Sequence, residues 1–284
     1  MTSILSRGFE RRFEGEGTII RHDRTRSGDK RLVTVWDKWT PPLVEGLTVW
    51  LDPSDISTLF QERTGASAST PATLGDPVGT VLDKSGNGNH ATAPSDGARP
   101  TLSKDMLGIF YLSFDASASQ EMEMPHETIP DPDADFTVSI AASNDDETHA
   151  GFFSNGRFDT NQSNTLRTGG GAGDPHYLHF IWGNSVTVGA ADGLGNEPID
   201  GRGHVLSVRG QGSGYRQLRV DRQLTDDTTG SPAANIGSEA SHIGRGVTGE
   251  HLNGGIWQLV AYTNYLEGQD LKDLEQFIYD SFAR

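Results

Sequence analysis

The feature that most constrains the fold is a series of short apolar runs separated by clusters of Gly, Asn, Asp and Pro. Glycine supplies 35 of the 284 residues, against a usual share of about 7%, and it follows no triplet period, which excludes collagen. The runs typical of strands are 47–52, 79–82, 111–114, 136–141, 177–182, 186–188, 205–208, 217–220 and 255–262. Because no amphipathic helices alternate with them, the pattern predicts an all-β antiparallel sandwich and not a doubly wound α/β fold.

One helix is predicted, near the C-terminal end of the sequence. Four apolar residues spaced at i, i+3, i+7 and i+11 share one helical face: Leu271, Leu274, Ile278 and Phe282. The charged residues between them, Glu275 included, are expected to face water. We expect the helix, over 268–282, to close one edge or end of the sandwich.

The charge is distributed unevenly. Residues 1–45 carry nine Lys and Arg against seven Asp and Glu, whereas the remaining residues carry 14 against 32. This asymmetry predicts two regions, an N-terminal arm over 1–45 and one β-sandwich domain over 46–284. The overall net charge of −16 argues against nucleic acid as a partner, because phosphate contacts need a basic surface.

The arm mixes basic residues with aromatic and aliphatic ones. Those that suit docking are Arg11, Arg12, Phe13, Ile19, Ile20, Trp36 and Trp39. Such a segment has too little apolar surface to form its own core. It is either a flexible leader or an arm that orders against a sister subunit or an acidic partner, and its aromatic residues favour docking.

The sequence also indicates where the protein is made. It has no cysteine, and no apolar stretch of signal-peptide length precedes the charges of MTSILSRGFERR. No window approaches the roughly 18 apolar residues of a membrane span. We therefore expect synthesis in the cytoplasm without membrane insertion.

Three stretches resemble the laminin-G-like branch of the concanavalin A-like lectin/glucanase superfamily. They are LTVWLDPSDISTLF at 47–60, VLDKSGNGNHATA at 81–93 with YLSFDASASQEMEM at 111–124, and HLNGGIWQLVAYTNYLEGQDLKDLEQFIYDSF at 251–282. Together they span most of the chain outside the arm. The resemblance implies a two-sheet jelly roll, but it specifies function weakly because this fold hosts many activities.

Modules of this kind are frequent in bacteriophage virion proteins. The resemblance, together with the basic arm, implies a structural protein of a phage or phage-like particle: a tail fibre, baseplate or head-spike component. Its expected partners are other virion proteins and sister subunits, in a homo-oligomer, and a glycan of the host surface. A polysaccharide-degrading enzyme of the same fold and a purely architectural decoration protein are the alternatives.

Catalysis is not supported by the carboxylates. Glycosidases need two of them on one face, and Glu121 with Glu123 is the nearest match, without the fuller Glu-x-Asp pattern of the superfamily. An alternating set at 131–135 is interrupted by Pro132, which is typical of a loop. The sequence therefore predicts that the protein is not an enzyme.

One loop resembles the first half of a calcium site. Asp83, Ser85 and Asn87 place oxygen donors at alternate positions before Gly88, but the twelfth position is Pro94 and not Glu. A tight turn is the first interpretation, and calcium is the alternative. No other cofactor is expected.

The best candidate for a sugar site is a polar and aromatic stretch beside the Gly-rich loop 169–173. Its residues are His176, Tyr177, His179, Trp182 and Asn184. Stacking on an aromatic face with nearby hydrogen-bonding groups is what sugar binding requires. In a strand, however, Trp182 shares the more apolar face with Leu178 and Phe180, so a place in the core is the alternative.

Overall fold

The contacts within the chain divide it into two units, Met1–Trp39 and Thr40–Arg284. The computed structural model describes residues 18–24, 30–36, 39–130, 134–145, 150–157, 162–168, 178–182, 186–190, 202–212, 214–229, 238–246 and 249–283. Residues 40–45, which the charge pattern places with the arm, make contacts in the second unit. The Tyr262 hydroxyl donates to the Pro41 carbonyl at 2.9 Å, and Asn264 Nδ2 donates to the Glu45 carbonyl at 2.8 Å.

The first unit contains an antiparallel hairpin of β1 (Thr18–Arg24) and β2 (Lys30–Trp36), with Thr18 opposite Trp36. Ile19 and Ile20 lie in β1, and Trp39 is the last residue of the unit. The other arm residues singled out above, Arg11, Arg12 and Phe13, lie outside the described residues.

The described residues of the second unit form strands and one α-helix. In chain order they are β3 (Leu47–Leu51), β4 (Leu59–Phe60), β5 (Thr80–Val81), β6 (Ala91–Thr92), β7 (Thr101–Lys104), β8 (Phe110–Phe114), β9 (Met122–Met124), β10 (Phe136–Ala142), β11 (Gly151–Arg157), β12 (Gln162–Thr168), β13 (Leu178–Trp182), β14 (Val186–Ala190), β15 (His204–Gln211), β16 (Tyr215–Val220), β17 (Gln223–Thr229), β18 (Ser241–Ile243), β19 (Gly254–Tyr262) and α1 (Gly268–Tyr279).

These strands form two antiparallel sheets. In the described residues one sheet has eight strands, ordered β17-β16-β15-β10-β19-β8-β7, with β3 also paired to β19. The other has nine, ordered β14-β13-β12-β11-β18-β9-β6-β5-β4. β3 and β8 lie along the same edge of β19, since β8 pairs with its beginning and β3 with its end. The predicted two-sheet antiparallel jelly roll is confirmed.

The core lies between the sheets. Phe136 of the eight-stranded sheet meets Phe180 of the other with ring centroids 5.8 Å apart, and Phe153 lies 6.5 Å from Phe180. Side chains alternate along a strand, so Val49 and Leu51 enter this core while Trp50 between them faces away from it.

The helix packs on the eight-stranded sheet, where it contacts β10 and β15. Leu271, Leu274 and Ile278 are buried as predicted. The expectation that Glu275 faces water is wrong: it is 1% exposed and paired with Arg219 of β16, with Nε and Oε1 2.7 Å apart. A buried carboxylate needs such a partner. No helix in the described part of the chain is long and apolar enough to cross a membrane.

Candidate functional site

A cleft of about 410 Å³ opens beside the helix, on the side of the eight-stranded sheet that faces away from the core. Strands β3, β8 and β19 supply its walls together with α1 and the chain that follows β5. The side chains that matter for its chemistry are Trp50, Asp52, Lys84, Phe110, Gln258 and Phe277. Residues more than 200 positions apart in the sequence thus meet in one site.

The cleft is aromatic on two sides. The indole of Trp50 is half-buried and meets the Phe277 ring edge-on, with centroids 5.7 Å apart and planes at 72°. Phe110, at the start of β8, also lines the cleft. Clefts lined by aromatic rings and a few placed polar groups are typical of small-molecule sites.

A charged cluster lies against the indole. Lys84 Nζ is 2.9 Å from Asp52 Oδ2 and 2.9 Å from Asp55 Oδ2, and it lies 4.4 Å from the centroid of the Trp50 ring. Burial alone would lower the pKa of Lys84, but its bonds to the two carboxylates outweigh this and raise the pKa. The hydrogen bond from Ser57 and then that from Lys84 lower the pKa of Asp55. Both shifts favour the charged forms of Lys84 and Asp55.

Two polar atoms in the cleft walls have no hydrogen-bond partner. Gln258 is 1% exposed, and among the described residues nothing donates to its Oε1. The buried Nε1 of Trp50 likewise has no acceptor. Both atoms are exceptions to the rule that buried polar groups are hydrogen-bonded, and both are shielded from the open space of the cleft.

The rim of the cleft is apolar at the tip of the β7–β8 hairpin. Met106 is fully exposed, and Leu107 is 60% exposed. Asp105 Oδ1 accepts from the backbone nitrogens of Leu107 and Ile109, each at 2.9 Å, which fixes the turn. These two exposed side chains directly precede Gly108 and Ile109, which line the cleft.

Trp257 lies near the cleft but is not free for stacking. Ala141 pairs with Gln258 and Ala142 with Ile256, so Trp257 is the extra residue of a bulge. Its ring is 7% exposed and stacks on Tyr111, with centroids 4.6 Å apart. The Trp257 ring is therefore covered by its neighbours and is not exposed for stacking.

The sugar site predicted from sequence falls mostly outside what the structure describes. His176, Tyr177 and Asn184 lie outside the described residues. His179 and Trp182 lie in β13, paired with Arg167 and Asn164 of β12, and only their backbone is described. That site stays a prediction. Sequence reasoning missed the cleft around Trp50, although a Trp between two core residues of a strand already signals an aromatic on the opposite face.

The loop at 83–89 ties two strands together. Asp83 Oδ1 accepts from the backbone nitrogen of Trp50 at 2.9 Å and from that of Ser85 at 2.8 Å. Asn87 Nδ2 donates to the Leu47 carbonyl at 2.7 Å. Gly86 has φ near 90°, as the predicted turn requires. In the described part of the chain no three His, Asp or Glu converge to hold a metal, and calcium binding by Asp83, Ser85 and Asn87 stays a prediction.

The carboxylates near β9 are arranged for stability. Glu121 is 9% exposed, with Arg245 Nη1 3.1 Å and His242 Nδ1 3.2 Å from its Oε2. Burial alone would raise the pKa of Glu121, but these two partners lower it. A general acid of a glycosidase needs a raised pKa, so the environment of Glu121 does not suit that role. Glu123 follows in β9, opposite His242.

Comparison with known proteins gives the fold. No protein-family model and no curated protein matches the sequence. Among solved structures, botulinum neurotoxin type C, whose cell entry depends on interaction with two ganglioside molecules, has a TM-score of 0.55 at 12% identity over 82% of this chain. The binding domain of Paraclostridial Mosquitocidal Protein 1 has a TM-score of 0.57 at 13% identity over 83%.

A third structure matches along nearly its whole length. It is Domain 4 of AbnA, a GH43 extracellular arabinanase from Geobacillus stearothermophilus, in complex with arabinotriose, with a TM-score of 0.57 at 16% identity over 84% of this chain and 98% of that one. By contrast, the match spans only 51% of the neurotoxin chain and 53% of the mosquitocidal chain. These neighbours are mainly binding domains, and they share the two-sheet jelly-roll fold with this chain.

Proposed function

We propose that this protein is a structural component of a phage or phage-like particle, in a tail fibre, baseplate or head spike, and that its sandwich binds host-surface glycans through the cleft around Trp50. The observation that carries the binding role is the convergence of Trp50 and Phe277 with Asp52 and Gln258 in one opening. The likeness to a domain in complex with arabinotriose supports the same chemistry.

The cleft offers what a sugar ring needs. An indole face accepts the C–H face of a pyranose or furanose, while carboxylate and amide oxygens accept from its hydroxyl groups. Asp52 supplies such a carboxylate, and Gln258 places an amide group in the cleft wall. Its Oε1 is buried and unpaired, so a small turn of this side chain toward a ligand hydroxyl would give the oxygen the hydrogen bond that it lacks.

The arm serves assembly in this proposal. Its excess of basic residues contrasts with the acidic remainder of the chain, and its contacts separate it from the sandwich as a unit of its own. The partners of the arm in this proposal are other virion proteins and sister subunits. The protein thus acts in the particle after synthesis in the host cytoplasm, and its binding role needs no catalysis.

Glycan binding is tested with variants of the aromatic walls. Wild-type protein and the Trp50→Ala and Phe277→Ala variants are applied to an array of bacterial surface glycans, with folding checked by circular dichroism. Tyr265→Ala is the matched control, since Tyr265 is a half-buried ring that stacks under Arg209, 4.4 Å from its guanidinium carbon, outside the cleft. We expect both cleft variants to lose at least tenfold in affinity and the control to keep it.

An array on which the wild type binds nothing would contradict the binding role and leave the architectural alternative. Release of reducing ends from a bound glycan would favour the polysaccharide-degrading enzyme. The particle role is tested separately by mass spectrometry of purified particles against cell lysate. Enrichment in the particles supports it, and presence in the lysate alone contradicts it.

A further inference from the structure

The charges around the cleft leave an excess of negative charge beside Trp50. One ammonium group, that of Lys84, bonds to both Asp52 and Asp55 at 2.9 Å. Asp52 is 8% exposed and the side chain of Lys84 is 22% exposed, so water screens this pair only in part, whereas the side chain of Asp55 is 37% exposed. Two carboxylates against one ammonium leave one negative charge uncompensated within the cluster.

Lys84 is not available to an incoming anion. Two of its three N–H donors are directed to carboxylates, and the charge also lies against the indole at 4.4 Å. An acidic group on a ligand would have to displace Asp52 or Asp55 from this ammonium while remaining close to both. An amino group meets the opposite situation, because the same carboxylates and the indole attract it.

The β7–β8 hairpin, which lines the cleft with Gly108, Ile109 and Phe110, also carries two charges that offset each other. Lys104 Nζ lies 4.3 Å from the centroid of the Phe110 ring. The next residue, Asp105, accepts from Trp257 Nε1 at 3.1 Å and from two backbone nitrogens of its own turn. Neither Lys104 nor Asp105 lines the cleft, and their opposite charges leave the excess at the Asp52–Lys84–Asp55 cluster unchanged. The chain outside the arm is strongly acidic as well, so its long-range field has the same sign.

From this charge arrangement, and resting on the proposed function, we infer that the cleft selects neutral or amine-bearing glycans and excludes acidic ones. The stacking on Trp50 sets the affinity for the sugar ring, and the Asp52–Lys84–Asp55 cluster sets the charge that the ring carries. Neutral glycans bind through their hydroxyl groups, and amino sugars gain an additional attraction to the carboxylates.

The test uses sugars that share one backbone and differ at one substituent, which sets their charge. Calorimetry measures the binding of three tetramers to the full-length protein: N-acetylglucosamine, glucosamine, and N-acetylglucosamine oxidised to carboxylates at carbon 6. Every glycan that the array identifies is titrated in the same way, together with its carbon-6 oxidised form. Trp50→Ala has the same net charge as the wild type, so the affinity lost in this variant isolates the contribution of the cleft from general electrostatic attraction.

We expect the oxidised form of each bound glycan to bind at least tenfold more weakly than its neutral parent. The double variant Asp52→Asn/Asp55→Asn should reduce this difference to less than threefold. The control variant Asp96→Asn should keep the full difference, because Asp96 is an exposed carboxylate that pairs with Arg63 outside the cleft.

The inference is overturned if acidic glycans bind as tightly as their neutral parents and Trp50→Ala abolishes this binding. The proposed function would then remain intact. Binding that Trp50→Ala leaves unchanged would overturn both, because the cleft would then not be the site. An unaltered preference in the double aspartate variant would also overturn the inference, since the selectivity would come from elsewhere.

Discussion

The ion pair between Arg219 and Glu275 should be a principal attachment of helix α1 to the sheet, and therefore of Phe277 to the cleft. The contact is bidentate, with Nε and Oε1 2.7 Å apart and Nη2 and Oε2 3.1 Å apart. The side chain of Glu275 is 1% exposed and that of Arg219 is 15% exposed. Removing one partner leaves the other charge buried and unpaired, which costs more than the pair itself contributes.

The two single variants should differ in a definite order. Arg219→Met leaves a fully buried carboxylate and should lower the free energy of unfolding by about 3–5 kcal/mol. Glu275→Leu leaves a guanidinium that still reaches water and should lower it by about 1–3 kcal/mol. The double variant replaces the pair with apolar groups of similar size and should return to within about 1 kcal/mol of the wild type.

Urea unfolding followed by circular dichroism measures these differences. With an m value near 3 kcal/mol/M, the Arg219→Met variant should unfold at a midpoint roughly 1–2 M lower. The exposed pair Arg63–Asp96 is the control, and Arg63→Met should cost less than about 1 kcal/mol. The reasoning is refuted if Glu275→Leu costs more than Arg219→Met, or if the double variant is as unstable as the worse single one.

Further predictions concern a glycine, a carboxylate and the arm. A Cβ at Gly254 would lie 2.1 Å from a backbone carbonyl oxygen, so Gly254→Ala should lower the melting temperature markedly. Gly97 has open space around it, so Gly97→Ala should leave the melting temperature nearly unchanged, and equal shifts in the two variants would contradict this. The partners of Glu121 hold its pKa in the folded protein below the ordinary 4.5. The ionised Glu121 therefore contributes its full stabilisation above pH 4.5, and this stabilisation is lost as the pH falls through the pKa of the folded protein. The stability gap between the wild type and Glu121→Gln should therefore narrow in acid, and a gap that widens in acid would contradict the sign. Deletion of residues 1–38 should leave a folded sandwich that no longer sediments as an oligomer or enters particles, and unchanged assembly would contradict the docking role.

The strands were predictable where apolar and β-branched residues dominate. Each of the nine runs chosen from the sequence overlaps a strand, as in β10 and β19. β11 and β12, GFFSNGR and QSNTLRT, were missed because Gly, Ser and Asn are unfavourable in strands. Pairing compensates for the low propensity of such residues: Asn155 is fully buried, and its Nδ2 donates to the Ile129 carbonyl at 2.7 Å.

The candidate site was less predictable than the fold. The alternation of side chains along β3 predicts that the Trp50 ring lies on the outer face of the sheet. Gln258 and Phe277, which line the same cleft, are more than 200 residues away in the sequence, so no local pattern reveals that they meet Trp50. Glu275 shows the same limit. Its helical position suggests exposure, and only the approach of Arg219 from β16 makes its burial stable.

The most direct test of the glycan-binding account follows the indole N–H signals during a titration. The chain has five tryptophans, so a ¹⁵N-labelled sample gives up to five indole signals, assigned by single Trp→Phe substitutions: Trp36, Trp39, Trp50, Trp182 and Trp257. On addition of a glycan that binds on the array, we expect the signal of Trp50 to shift most, because its unpaired N–H lies in the wall of the cleft. A shift confined to Trp182, with Trp50 unchanged, would contradict the account and place the sugar at the 176–184 segment instead.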